Sequence, residues 1–346
     1  MPKILRNPFI AVLIFTAALL IVHPFGVFAD GRISDDGSTQ KAAAAEDAAG
    51  ITLKVISYNI AAGQGIKNNS THYVGTKNLD QLVKLMNAEK ADLIGMQEVD
   101  DNRFTTRFVN EAKYISSRIG MHCFWHEASA LGPFGRLNRH GNAVMSKYKI
   151  LKSECFKYKS KGKKSDGGAS TETRALSWAL VDVNGTNVNF ISTHLGFPGY
   201  ARVGQAKELV EYVKKLKGPV IVVGDFNTTK GTKSYNVITE LLDDTCLTAA
   251  ANGDINTFPS KAPSKRIDFI FVSKNDFSCV KVYAGGENFK NASDHRPILA
   301  ILKLKTGAPD TKASAEKTAQ SVNGEGEGEG ESTKILELQK SLFNLK

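Results

Sequence analysis

The sequence predicts an α+β domain in which sheets pack together with helices outside them. Short apolar runs rich in Val and Ile read as strands, and apolar residues at three- and four-residue spacing between some of them read as helices. Asn184-Gly185, between two of the strand-like runs, is a hairpin signal. A hairpin inside a mixed order of elements disfavours a purely parallel, doubly wound sheet.

In chain order the strand-like runs are Leu53–Tyr58, Leu93–Met96, Ala143–Met145, Ala175–Val183, Val188–Ser192, Val220–Val223, Ile267–Val272 and Ile298–Leu304. Branched side chains lose rotamer freedom in a helix and pack well on a pleated surface, which is why such runs favour strands. Leu79, Leu82, Val83 and Met86 share one helical face, as do Val203, Ala206, Leu209, Val210 and Val213. Gly218-Pro219 stops the second helix before the next strand.

These elements occupy residues 51–305, and 346 residues allow one large domain or two ordinary ones. Residues 1–29 have the layout of a secretory signal peptide: Lys3 and Arg6, an apolar run from Phe9 to Val22, and a small-residue cleavage site at Val27-Phe28-Ala29. The run is shorter than the roughly 20 residues of a spanning helix and His23-Pro24 breaks it, so a retained anchor is the lesser alternative. Residues 30–50 read as a linker. Residues 306–346 read as a low-complexity tail with a Gly-Glu repeat, Gly324 to Glu331, ahead of Ile335, Leu338, Leu342 and Leu345 at the spacing of a short helix.

A formal charge of +10 suits an anionic partner or simple solubility. Cys123, Cys155, Cys246 and Cys279 form no C-x-x-C pair, which argues against a structural zinc site. Disulfides and small buried apolar residues both remain open for them. There is no P-loop, nucleophile elbow, dinucleotide fingerprint or H-E-x-x-H.

Polar residues recur where the apolar runs end. Asn59, Glu98 and His194 each close a run, Asp225 follows Val220–Gly224 with Asn227 two residues on, and Asp294-His295 precedes the last strand. Asp268 sits inside Ile267-Asp268-Phe269-Ile270, where a buried carboxylate is costly without a partner. One strand-end Asp or Asn is ordinary turn chemistry. Converging, these residues would line one acidic, histidine-containing pocket. Its amide and carboxylate oxygens are hard donors suited to Mg²⁺, with Mn²⁺ or Ca²⁺ as alternatives.

Ser57-Tyr58-Asn59, Gln97-Glu98-Val99, Ser192-Thr193-His194-Leu195, Gly224-Asp225-Phe226-Asn227, Arg266-Ile267-Asp268-Phe269-Ile270 and Ser293-Asp294-His295-Arg296-Pro297 occur in this order. Together they resemble the endonuclease/exonuclease/phosphatase superfamily, the DNase I-like fold. The resemblance implies a four-layer sandwich of two mostly antiparallel sheets flanked by helices. It implies Asn59 and Glu98 as metal ligands with Asp294 beside them, and Asp225 as the group that orients or deprotonates the attacking water. Asn227 would hold substrate or metal, and His295 would contact the scissile phosphate, oriented by Asp268. His194 would be a second phosphate-facing histidine. Arg174 lies where the family often places a phosphate-binding arginine. Asn142, in His140-Gly141-Asn142-Ala143, matches a motif of small bacterial members, with a turn residue at the start of a strand as the alternative.

The expected activity is therefore exported, metal-dependent hydrolysis of a phosphate ester by direct attack of water, with a nuclease or other phosphodiesterase ahead of a phosphomonoesterase or sphingomyelinase-type enzyme. A catalytically silent binding protein on the same fold is the non-enzymatic alternative. The expected partner is a phosphate-ester substrate, such as nucleic acid, a phospholipid head group or a small phosphoester. A monomer without an obligate protein partner is expected. Lys157, Lys159, Lys161, Lys163 and Lys164 form either an arm for a polyanion or a flexible solvated loop. Phe197-Pro198-Gly199-Tyr200 and Arg202 either line the cleft or only begin a helix. Asn227-Thr228-Thr229 is a formal glycosylation sequon inside the candidate site, so secretion or periplasmic export without that modification, as in a bacterium, is the simpler expectation.

Overall fold

A computed structural model describes residues 50–66, 75–130, 139–163, 165, 172–249 and 255–305. The expected signal peptide, the tail, Lys164 and all of the linker but Gly50 lie outside these residues. The described strands are β1 (Thr52–Asn59), β2 (Leu93–Asp101), β3 (His122–Ala130), β4 (Arg139–Ser146), β5 (Ile150–Lys157), β6 (Ala175–Val183), β7 (Thr186–His194), β8 (Val220–Asp225), β9 (Leu242–Asp244), β10 (Asp268–Ser273), β11 (Phe277–Ala284) and β12 (Ile298–Leu304). The described α-helices are α1 (Lys77–Glu89), α2 (Glu111–Ile119), α3 (Gly199–Val213), α4 (Lys233–Thr239) and α5 (Thr245–Thr248).

The strands form two six-stranded sheets, ordered β11-β12-β1-β2-β4-β3 and β5-β6-β7-β8-β10-β9. All neighbours are antiparallel except one central pair in each sheet, β1 with β2 and β7 with β8. A parallel pair needs a crossover. Helix α1 lies on the first and α3 on the second.

Alternation along each strand makes three cores. Leu53, Val55, Leu93 and Val144 of the first sheet meet Val181, Phe190, Ile221, Val223 and Ile270 of the second, between the sheets. The opposite face of the first sheet, with Ile56, Tyr58, Ile94 and Met96, packs on Leu79, Leu82 and Met86 of α1 and on Ala112 and Ile115 of α2. The opposite face of the second, with Ile191, Val222, Phe269 and Phe271, packs on Ala206 and Leu209 of α3 and on Tyr235 and Ile238 of α4. The result is the helix, sheet, sheet, helix order of the resemblance. Each fully buried Val, Leu or Ile contributes about 1.5–3 kcal/mol. Gly95 is needed where the sheets touch, because a Cβ there would lie 2.2 Å from Val223 Cγ2.

All four strands that the apolar runs do not announce, β3, β5, β9 and β11, are sheet edges. Strand β5 is largely exposed and β11 only partly buried, so little apolar pattern is required of them. The short helices α2, α4 and α5 also lack a run long enough to be read. Helix α2 is instead defined by its ends: Asn110 accepts from Lys113 N, and Gly120 takes the left-handed C-cap at φ 69°. The cysteine question is settled, since all four thiols are free and partly buried.

Candidate active site

The site is the open end of the layer between the sheets. Along β1 the inward series Leu53, Val55, Ser57 ends at Asn59; along β7 the series Val188, Phe190, Ser192 ends at His194; along β8 the series Ile221, Val223 ends at Asp225. Register places these ends side by side. His194 pairs with Asp225 across β7 and β8, and Asp225 pairs with Asp268 across β8 and β10. Residues opposite each other on neighbouring strands share a face, so all three side chains point into the same cleft.

Glu98 does not follow from alternation. Gln97 faces inward, where its Nε2 donates to Ser192 Oγ at 3.0 Å, so the next residue should face outward. A bulge between Met96 and Val99 and a positive φ of 54° at Glu98 change its direction. Its Oε1 accepts from Asn59 Nδ2 at 2.9 Å. Asn227 likewise has φ 48°, and its backbone N–H donates to Asp225 Oδ1 at 2.9 Å.

Asp225 Oδ2 is the point of convergence. Asn59 Nδ2 lies 3.0 Å from it, His194 Nε2 3.3 Å and His295 Nε2 3.6 Å. Burial and the nearby charge of Asp268 raise the pKa of Asp225, against the opposing pull of His295. Behind His295, Nδ1 donates to Asp268 Oδ2 at 2.9 Å, and the same oxygen accepts from Thr257 Oγ1 at 2.5 Å. Burial alone would lower the pKa of His295. Asp268 and Asp225 outweigh it and push the value up to about 10, so the ring is an imidazolium at neutral pH.

His194 has the reverse setting. Arg174 Nη1 lies 2.8 Å from its Nδ1, and a guanidinium can only donate. Nδ1 therefore accepts, and the neutral ring carries its proton on Nε2, facing Asp225. Asn227 Nδ2 lies 3.0 Å from that nitrogen and donates to Leu195 O at 2.8 Å. Burial first and the charge of Arg174 second hold the pKa of His194 well below its ordinary value. Arg174 is buried and tied to Glu172 at 3.0 Å.

Asp294 is half-buried beside this group. Burial raises its pKa, the charge of neighbouring His295 opposes the rise, and the charge of Glu98 adds to it. Two mutually repelling carboxylates with only oxygen to offer suit a hard divalent cation. Glu98 with His194 and Asp225, and Asp225 with Asp268 and His295, are close enough to share an ion. Asn59, expected as a ligand, presents nitrogen here. Its Oδ1 accepts from Ala61 N at 3.0 Å, which fixes the amide orientation and turns Nδ2 toward Glu98 and Asp225.

Asn142 lies within β4, away from any turn. Its Nδ2 donates to Ala175 O at 2.7 Å and its backbone O accepts from Ser177 Oγ, so it ties the first sheet to the second. Two positions along on the same face is His140, a functional residue that the sequence motifs do not assign. Asp100 Oδ1 lies 2.6 Å from His140 Nδ1, and despite burial this carboxylate raises the His140 pKa. His140, Glu172, Arg174 and His194 line one small pocket. The signal that finds His140 is its period-two relation to Asn142.

Two packed sheets with strand-end carboxylates, two histidines and an arginine around one cleft define a DNase I-like phosphoesterase scaffold. The profile described as the Endonuclease/Exonuclease/phosphatase family matches residues 56–295, and the chain belongs to that family. Members of this family are phosphoester hydrolases that generally depend on a divalent metal. Among curated proteins, the chain is 29% identical over 185 residues to the uncharacterized protein YbhP of Escherichia coli K12, spanning 52% of this chain and 68% of that protein. Among solved structures, an endonuclease/exonuclease/phosphatase of Bacteroides vulgatus matches with a TM-score of 0.58 at 21% identity, over 74% of this chain and all of that one. A mannosyl-6-phosphatase of Bacteroides thetaiotaomicron matches at 0.56 and 20%, over 72% and 99%. TDP2 of D. rerio, in complex with single-strand DNA product, matches at 0.55 and 17%, over 73% and 99%.

Proposed function

We propose that this chain is an exported, divalent-metal-dependent phosphodiesterase that hydrolyses a P–O bond by direct attack of water. The observation that carries this reading is the convergence of Asn59, His194 and His295 on one oxygen of Asp225, at 3.0, 3.3 and 3.6 Å. Glu98 and Asp294 would hold the cation, Mg²⁺ foremost and Mn²⁺ or Ca²⁺ as alternatives. When bound it would supply charge stabilisation to the phosphoryl oxygens, worth several kcal/mol.

The remaining work falls to the chain's own groups. Asp225, an acceptor surrounded by donors, takes the proton of the attacking water and is held in place by Asn59 and the Asn227 N–H. His295 gives an N–H and a positive charge to a non-bridging oxygen, and Asp268 behind it fixes its tautomer and direction. Neutral His194 offers a hydrogen bond from Nε2 on the other side, aimed by Arg174, and the leaving alkoxide, displaced opposite the attacking water, takes its proton from solvent. No side chain is required as a nucleophile, so no covalent intermediate forms. Export rests on the signal-peptide pattern of residues 1–29.

Hydrolysis of bis(p-nitrophenyl) phosphate in Mg²⁺, Mn²⁺ and Ca²⁺, set against EDTA, tests the reading. Turnover in a metal and none in EDTA is expected, and silence in every metal supports the binding-protein alternative. A single turnover in oxygen-18 water should place the label on the phosphate product; a label-free phosphate ends the direct-attack mechanism. The mannosyl-6-phosphatase relative supports a second reading, a phosphomonoesterase. Faster turnover of sugar phosphates than of diesters would favour it.

A further inference from the structure

The lysine-rich stretch beside the site is not a free loop over its described length. It lies along α3, running against the helix direction. Phe156 packs on Tyr212 with ring centroids 5.5 Å apart. Lys159 and Ser160 donate their backbone N–H groups to Glu208 at 2.7 and 2.9 Å, and Gln205 Nε2 donates to Ser160 O. Lys163 donates its backbone N–H to Tyr200 Oη at 2.8 Å. Residues 200, 204, 208, 212 and 215 of the helix and its C-terminal turn fall on one face, so segment 156–163 and that face form a single ridge.

One end of the ridge is at the reacting groups. Phe197 follows His194 by three residues and is 58% exposed, although its backbone is pinned by Arg202 Nη1, which donates to Phe197 O at 2.7 Å. Arg174 stands 6.0 Å from the Phe197 ring centre, and Lys163 5.7 Å from that of Tyr200, itself 52% exposed. The charge of Arg202 reaches Asp225. At the other end, a shallow groove is lined by Phe156, Tyr212, Lys159, Lys207 and Lys215, with Glu208 and Glu211. Glu208 is occupied by the backbone N–H groups above, and Glu211 is paired with Lys214 at 2.8 Å. The lysine side chains of the ridge are exposed and the aromatic rings recur among them.

We propose that this ridge binds the flank of a single-stranded nucleic acid as it leaves the cleft, with bases stacking on Phe197 and Tyr200 and phosphates following the lysines. Alternating rings and cations match the two parts of such a chain, a π-face on every base and a charge on every phosphate. A lipid surface would instead favour clustered aliphatic and tryptophan side chains, which the ridge lacks. The proposal rests on the phosphodiesterase reading for its place beside the scissile bond.

The test separates binding from turnover. With the full chain in EDTA, anisotropy of labelled oligothymidylate should show binding that weakens with salt. About five cationic contacts give a slope of about −3.5 in log K against log salt. Lys159→Gln and Lys207→Gln should each reduce that slope by about 0.7, and Phe197→Ala should weaken binding about tenfold. With metal, kcat/KM should rise with oligonucleotide length and level off once the strand spans the ridge. Slopes unchanged in both lysine variants, tighter binding of duplex, or binding of anionic vesicles without oligonucleotide would overturn the ridge. Ridge binding without hydrolysis in any metal would overturn the phosphodiesterase reading and leave the ridge standing.

Discussion

His295 and His194 stand on either side of the same carboxylate oxygen, and what lies behind each ring differs. Behind His295 is Asp268, an acceptor that leaves the ring cationic, with a pKa pushed up to about 10. Behind His194 is Arg174, a donor that leaves the ring neutral with its proton on the cleft side. Both rings are buried and both face Asp225. The role of each histidine is therefore set by its second neighbour. One delivers charge to the phosphate, and the other delivers a hydrogen bond without adding a second imidazolium.

The most severe way to break this comparison is to remove the rings. His295→Ala should lower kcat on bis(p-nitrophenyl) phosphate by about 10³-fold, the upper end for loss of one preorganised donor to a developing oxyanion, with the melting curve close to wild type. His194→Ala should cost about 10²-fold. Equal losses would mean that the two rings do the same work.

A milder change exposes the neighbour alone. Asp268→Asn removes the charge that stabilises the imidazolium, so the His295 pKa falls. In the wild type, activity should rise with pH as Asp225 deprotonates, at values above the usual aspartate range, and decline as pH passes about 10, where His295 loses its proton. In Asp268→Asn the alkaline limb should move to lower pH and kcat should drop by about 10²-fold. An alkaline limb that stays in place would detach it from His295.

The smallest effect is expected at Arg174. Arg174→Met leaves burial acting on His194 but removes the adjacent cation, so the His194 pKa should rise, read as its ring proton shift against pH by NMR. KM should increase about tenfold, the scale of one lost charge-assisted hydrogen bond. A His194 titration identical to wild type would show that burial alone keeps that ring neutral.

Much of the cleft was legible because its residues end apolar runs. Asn59, His194 and Asp225 each continue the inward parity of a strand, and Asp268 was marked by its cost inside an apolar segment. Ser57, Gln97 and Ser192, which read as parts of site motifs, form a chain of bonds: Gln97 Nε2 donates to Ser192 Oγ across the two sheets, and Gln97 Oε1 accepts from Ser57 Oγ within the first. Period two from Asn142 points to His140, but not to its partner Asp100, which is 40 residues away on β2. Pairing across strands has no local signature.

By itself the sequence determined the central strands and the two long helices, since an element buried on one or both faces must carry its apolar pattern in its own residues. The tertiary structure alone decided the four edge strands, which need little apolar surface, and the direction of Glu98, which a bulge turns against its parity. It also decided which histidine carries charge, because a proton's affinity depends on groups brought close through space.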